Sequence, residues 1–446
     1  MTRSDSSVVC RIGAGAGFAG DRIDPAVALA NSGAVDAVVL ECLAERTLVP
    51  AIKARAENPD AGFDPRLRRR LTPLLPAAHA NGCQIVSNLG AANPAAAGRA
   101  ISALARELGL SGKRVAAIEG DDVMSQREHV DWVRPVEGRL LGAHAYLGCV
   151  PLSDALEQGA DVVVTGRVAD SALFSAVARR HLLPTEQALA GAITVGHLLE
   201  CGGQLTGGNY EPVGGAGAAG NRLTAQDYAR LGYPLADVYA DGSADITILQ
   251  DHPGIVDAMT CSLQLLYEVH DPARYATPDL IVDFSGVSFT QVGPNRVRMA
   301  GARSLGPPPT LKVAGFLELP GFIADCEIGF AGSHAFARAH MAAETLRLRL
   351  ADWPAHDVAV DVVGTDSILR AGSVQAPPGA ELRVHVSARC RDLEQAQIVE
   401  DEVYALTLSG PAGGCSVRSE RRPRIEVLDG FIAHERIAPR IVWSTS

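Results

Sequence analysis

Short apolar runs alternate with segments of helical periodicity through the first 200 positions of the chain. The runs at 8–13, 36–41, 84–89, 115–119 and 161–166 predict strands, and Ala97, Ile101, Leu104 and Leu108 recur at helical spacing within 95–109. Such alternation predicts β-α units and a mostly parallel sheet with helices on both faces.

Beyond about position 240 the pattern changes. Strand-like runs at 280–289 and 295–303 flank Gly293-Pro294-Asn295, a hairpin signature. A strand near 310–319 precedes a helix from Ser333 with Phe336, Ala339, Ala343, Leu346 and Leu350 on one stripe. Strands near 357–363 and 382–388, a helix near 393–408 and a strand at 424–428 complete a β-α-β-β-α-β order. The expected class is therefore α/β: an N-terminal, mostly parallel sheet with flanking helices over 1–240, then an α+β domain with a mixed or antiparallel sheet over 241–446. Glycine-rich stretches at 214–220 and 409–414 are expected to act as a lid and as a loop closing over the first domain's site.

Chemistry concentrates at the first strand. Gly13, Gly15, Gly17 and Gly20 are expected in a loop that approaches a ligand, with Asp24 and Pro25 as N-cap and first helical residue. Gly15-x-Gly17-x-x-Gly20 matches a dinucleotide fingerprint, which leaves a dinucleotide-dependent oxidoreductase as an alternative. Against it, the helix would start four residues after the third glycine, and Asp21 puts negative charge where a pyrophosphate would lie. No lysine follows the glycines, which excludes a Walker loop.

Composition narrows the partners. A net charge of −11 over 446 residues argues against nucleic acid. The run Arg66, Arg68, Arg69 and Arg70 reads as a solvated helix face. With no long N-terminal apolar region and no 18-residue apolar span, no membrane partner and a cytoplasmic location are expected. Nine dispersed cysteines, without Cys-x-x-Cys, read as buried free thiols. Only Lys53, Lys113 and Lys312 are lysines; Lys312, in a strand-like run, reads as a strand-edge residue.

Ligands of parallel sheets bind beyond the carboxyl ends of the strands. There the sequence gathers Asp21, Arg22, Glu41, Glu45, Arg46, Asn88, Glu119, Asp121, Asp122, Arg167 and Asp170. Glu41 and Glu119 are the expected bases for a proton alpha to a carbonyl. Arg22, Arg46 and Arg167 are expected to fix a carboxylate, and the glycine-loop N–H groups to hold the resulting oxyanion. Cys201 and Gly202 follow a helical segment with His197; a thiol at a helix C-terminus has a raised pKa, so Cys201 reads as part of a binding loop rather than as a nucleophile. The carboxylates fit magnesium or no metal equally well, and no cofactor is assigned. The expected partners are a small-molecule carboxylate or an acyl-CoA, with a homo-oligomer left open.

Several segments together resemble the acyclic terpene utilisation (AtuA) family: Ile12-Gly-Ala-Gly-Ala-Gly-Phe-Ala-Gly-Asp-Arg-Ile-Asp-Pro-Ala26, Leu40-Glu-Cys-Leu-Ala-Glu-Arg-Thr47, Gly196-His-Leu-Leu-Glu-Cys-Gly202, Gln264-Leu-Leu-Tyr-Glu-Val-His-Asp-Pro272, Thr310-Leu-Lys-Val313 and Gly410-Pro-Ala-Gly-Gly414. The resemblance implies a setting in the breakdown of branched, terpene-derived acids as CoA thioesters, beside biotin-dependent acyl-CoA carboxylases. It does not imply a reaction, so a lyase or hydratase and a non-catalytic accessory subunit are both compatible with it. One segment departs: where relatives carry a Lys-Pro-Glu-Gly-Thr-Gly-Gly type loop, this chain has Thr247-Ile-Leu-Gln-Asp-His-Pro-Gly-Ile-Val-Asp257.

Overall fold

The computed structural model describes residues 7–210, 223–353, 357–365, 367–368 and 380–446, and the expected 214–220 lid lies outside them. Two compact units result: Met1–Arg134 with Leu141–Gly315 and Leu428–Ser446, and Pro135–Leu140 with Phe316–Val427.

The first unit is built on a ten-stranded sheet. Its parallel centre consists of β1 (Val8–Ala16), β2 (Ala37–Leu40), β3 (Gln84–Ser87), β4 (Arg114–Glu119) and β5 (Val162–Thr165), in spatial order β1-β2-β3-β5-β4. All four residues of β2 and of β5 are buried, as expected of strands covered on both faces. Alternate side chains go to opposite layers. Val39 packs with Leu152, Phe174 and Ile193, whereas Val38 and Leu40 pack with Leu29, Leu71 and Ile101. The helix Pro94–Glu107 starts at Asn93, whose side chain accepts the Ala96 N–H at 3.2 Å, and buries Ala97, Ile101 and Leu104.

Five antiparallel strands extend this sheet. Arg440–Thr445 joins β4, and Pro234–Tyr239 joins β1, followed by Ala244–Ile248, Arg296–Ala300 and Ser288–Gly293. The sheet thus continues through position 240. The run 280–289 is not one strand. It breaks where the Val287 N–H bonds the Phe284 carbonyl at 2.9 Å. Ile281–Asp283 pairs into a separate three-stranded sheet, and only Ser288–Gly293 forms the hairpin.

The second unit follows the expected β-α-β-β-α-β order. Its strands lie within Thr310–Ala331, Val358–Val363, Glu381–Cys390 and Cys415–Ala433, in spatial order second, third, first, fourth. The Ala335–Arg349 and Leu393–Ser409 helices bury Ala339, Leu346, Val399 and Leu406 against the sheet residues Ile328, Val384 and Val386. Near the 409–414 glycine loop, Arg338 donates to the Ala412 carbonyl at 2.7 Å.

Candidate functional site

The glycine segment is more strand and less loop than its composition suggests. Gly13 and Gly15 lie inside β1, where the missing side chain serves packing: a Cβ on Gly15 would meet Val38 Cγ1 at 2.6 Å. Gly17 is the first residue past the strand, and a Cβ there would come within 2.4 Å of the Cys201 carbonyl carbon. Gly17→Ala is therefore expected to destabilise the fold by roughly 1–3 kcal/mol through overpacking, read as a lower unfolding midpoint. An unchanged midpoint would refute this close approach.

The Gly17 N–H is already occupied. It donates to Asp21 Oδ2 at 2.8 Å, while Asp21 Oδ1 accepts the Arg22 N–H at 2.8 Å and the Tyr233 hydroxyl. Arg22 pairs with Asp24 and bonds the Tyr228 and Leu231 carbonyls. The helix begins at Asp24 rather than being capped by it, because that carboxylate is engaged by Arg22. Arg70 corrects the reading of the arginine run. Arg66, Arg68 and Arg69 are exposed, but Arg70 is 2% exposed and donates to the Ala19 carbonyl at 2.8 Å and the Asp21 carbonyl at 3.1 Å. Its fixed fork ties down the turn that carries Asp21.

The ends of β2, β3 and β5 build the acidic side. Glu41 Oε1 accepts the Leu43 N–H at 2.8 Å and Asn88 Nδ2 at 2.9 Å, and Asn88 Oδ1 accepts the Cys42 N–H at 2.7 Å. Arg167 is buried and donates to the Leu43 carbonyl, to the Val168 carbonyl at 2.8 Å and to Asp170. Its backbone N–H is held by Asp121 at 2.9 Å, so the end of β4 acts through the Arg167 turn. The guanidinium lies 4.6 Å from the Tyr146 ring centroid. The Tyr146 hydroxyl donates to Glu45 at 2.6 Å, and Lys312 lies 3.8 Å from the same carboxylate oxygen.

These environments separate the carboxyl groups. Burial pushes Glu41 up, against the pull of the Asn88 bond and of Arg167. Asp170 is pushed up by burial and by the charges of Glu41, Glu200 and Glu45, with Arg167 opposing. Burial also acts on Glu45, but the Tyr146 bond, Lys312 and Arg167 prevail and hold it below the usual range. Glu41 and Asp170 are thus shifted toward the protonated form and Glu45 toward the ionised form, the kind of separation used for acid–base division of labour.

Opposite stands His197, which is buried on the Glu186–Leu199 helix. Its Nδ1 lies 2.8 Å from Glu200 Oε1 and its Nε2 lies 3.1 Å from the Leu265 carbonyl. Both partners offer acceptor oxygens, so either ring nitrogen is placed to donate and a positive charge on the ring is favoured. Burial opposes that charge, yet Glu200 and the Leu265 bond raise the His197 pKa. Cys201 follows, its thiol pushed up to about 12 by burial and by Glu200, in keeping with a binding loop and not a nucleophile.

Two neighbouring hollows share part of their lining. The larger, about 480 Å³, is lined by Gly17, Asp21, Glu41, Arg46, Cys201 and Tyr233 among others, and the smaller, about 300 Å³, by Tyr146, His197, Leu311, Lys312 and Phe431 among others. Asp170, Glu200 and Glu268 line both. Arg46 is exposed here, with no hydrogen bond or ion pair among the described residues. Two linings are non-glycine residues at positive φ, Glu268 at 58° and Asn209 at 52°. Such conformations cost about 1–3 kcal/mol and cluster at functional sites.

Of the residues expected from sequence, Gly17, Asp21, Glu41, Arg46, Asp170 and Cys201 therefore meet at one cleft, with Asn88 and Arg167 supporting them from behind. Gly13, Gly15, Gly20, Arg22 and Gly202 do not line it. Glu119 does not either: it is bound by Arg440 at 2.8 Å, its neighbour across the antiparallel pair. Sequence reasoning missed His197 and Glu200 as a pair, Glu268, Tyr146 and Lys312. The His-x-x-Glu spacing on a helix was a signal for the first two; the others come from segments that carry no mutual signal.

Fold and cleft define an α/β protein with a carboxylate-lined cleft at the carboxyl ends of a parallel sheet. Among the described residues no group of three or more histidines, cysteines or carboxylates is arranged to hold a metal ion, and no helix is long and apolar enough to cross a membrane. The chain belongs to the acyclic terpene utilisation family: the model described as "Acyclic terpene utilisation family protein AtuA" matches residues 10–443. No curated protein and no solved structure matches it significantly.

Proposed function

We propose that this protein is a lyase or hydratase acting on a small carboxylated or CoA-linked acid in acyclic terpene breakdown. The observation that carries the reading is one cleft lined by the Glu41 and Asp170 carboxyls, both raised, together with the unpaired Arg46. Elimination beside a carbonyl needs a base for the alpha proton and an acid for the departing hydroxyl. Glu41 Oε1 is pinned by two N–H donors, which leaves its other oxygen for proton transfer. Arg46 supplies the fork for a carboxylate. Pro278, Pro308, Leu311 and Phe431 give the smaller hollow an apolar wall suited to a branched chain. A dinucleotide is disfavoured, because the Gly17 N–H that would meet a pyrophosphate is bonded to Asp21.

The test is turnover of branched 3-hydroxyacyl- and enoyl-CoA thioesters, followed by the enoyl absorbance. Arg46→Ala is expected to raise KM about tenfold or more with an unchanged unfolding midpoint, since an exposed side chain without partners contributes little to folding. Neither turnover nor saturable binding with any of these thioesters would overturn the proposal.

A further inference from the structure

Glu200 has one oxygen that the protein leaves unsatisfied. Its Oε1 is engaged by His197, while Oε2 is buried and has no hydrogen-bond partner among the described residues. The side chain is 13% exposed and lines both hollows. A buried carboxylate oxygen without a donor is costly, and beside a cleft it marks a place for a donor from water or ligand. The kind of donor follows from the charge balance. His197, 2.8 Å from Oε1, is already the basic partner of Glu200 among the described residues, so a neutral donor fits Oε2 better than a second cation.

We infer that Glu200 Oε2 accepts a hydrogen bond from a hydroxyl of the substrate, so that the cleft selects a hydroxy acid over its deoxy and ether counterparts. The inference rests on the lyase or hydratase reading and narrows its substrate class. The hydroxyl stands beta to the carbonyl, where elimination places the leaving group, and Glu200 orients it by holding its proton. No bond to Glu200 forms or breaks. In the direction of hydration the same oxygen holds the incoming water. Glu200 is then a specificity-determining residue, and His197 positions it. The Phe284 ring, stacked 5.6 Å from His197, keeps the imidazole ring in place.

The test is binding, read by calorimetry, of four CoA thioesters: those of 3-hydroxy-3-methylbutanoic acid, its O-methyl ether, 3-amino-3-methylbutanoic acid and 3-methylbutanoic acid. In the unaltered protein the hydroxy compound is expected to bind at least about tenfold more tightly than the other three, because a site built for a hydroxyl rejects analogues that leave its acceptor unpaired. Glu200→Gln keeps an oxygen for His197 and turns the free position into a donor. The gap between hydroxy compound and ether should then shrink to within about threefold, since the amide N–H can serve the ether oxygen. Equal binding of all four in the unaltered protein overturns the inference and leaves the functional reading standing. So does tightest binding of the amino compound, or a hydroxy preference that Glu200→Gln leaves intact. Binding of none overturns the functional reading and the inference with it. If Glu200→Gln does not fold, the four affinities of the unaltered protein decide alone.

Discussion

Glu41→Gln is expected to cut turnover by about 10²–10⁴-fold while leaving the protein at least as stable as before. The amide keeps the oxygen that accepts from Leu43 and Asn88, so the local geometry survives. It loses the transferable proton. The stability effect has a definite sign. Glu41 is buried and its pKa is raised from the ordinary 4.5, so below that value the group is neutral in both folded and unfolded chains. As pH rises, the unfolded chain ionises first while the buried carboxyl resists, and stability is lost through the folded pKa at up to about 1.4 kcal/mol per pH unit. Glutamine has no proton to lose, so the stability margin of Glu41→Gln over the unaltered protein should widen with rising pH. Unfolding midpoints of both proteins across a pH series measure this. A margin that narrows with pH would show that Glu41 is not a buried acid, and unimpaired turnover would remove it from the chemistry.

Arg167→Met is expected to destabilise the fold by about 1–3 kcal/mol, because the Leu43 and Val168 carbonyls lose their buried donor while Asp170, 39% exposed, keeps part of its hydration. Arg167 satisfies the Leu43 and Val168 carbonyls and is the counter-charge beside Asp170 and Glu41. Arg167→Lys should rescue little, since a point ammonium does not span two carbonyls and a carboxylate as the planar fork does. Arg167→Met combined with Asp170→Asn should recover part of the loss, because the uncompensated carboxylate is then gone. Denaturant unfolding of the single and double variants gives the coupling. If Arg167→Met unfolds at the unaltered midpoint, the guanidinium does not hold the cleft together.

The sequence alone determined the local architecture. Continuous apolar runs marked all five parallel strands, the apolar stripe within 95–109 marked a helix, and the β-α-β-β-α-β order of the second unit was readable from periodicity. It also gathered much of the cleft's lining, because residues just past parallel strands converge at one edge whatever the rest of the fold does. It misjudged Gly13 and Gly15, whose composition resembles a loop although their role is close packing against Leu29, Val38 and Leu40.

Which charges are free and which are committed was decided only by the tertiary structure. Arg46 and Arg70 look alike in the chain, yet one is exposed at the cleft and the other is buried under the Phe18–Arg22 turn. Glu41 and Glu119 end equivalent strands, but Glu119 is matched by Arg440 from the far C-terminus while Glu41 faces the cleft. The unpaired oxygen of Glu200 depends on His197 having its second acceptor in Leu265, 68 residues away in sequence. Hydrophobic periodicity is a local property and survives in one dimension. Desolvation and charge pairing depend on which distant segments pack together, and these turn strand-end carboxylates into either a salt bridge or an acid.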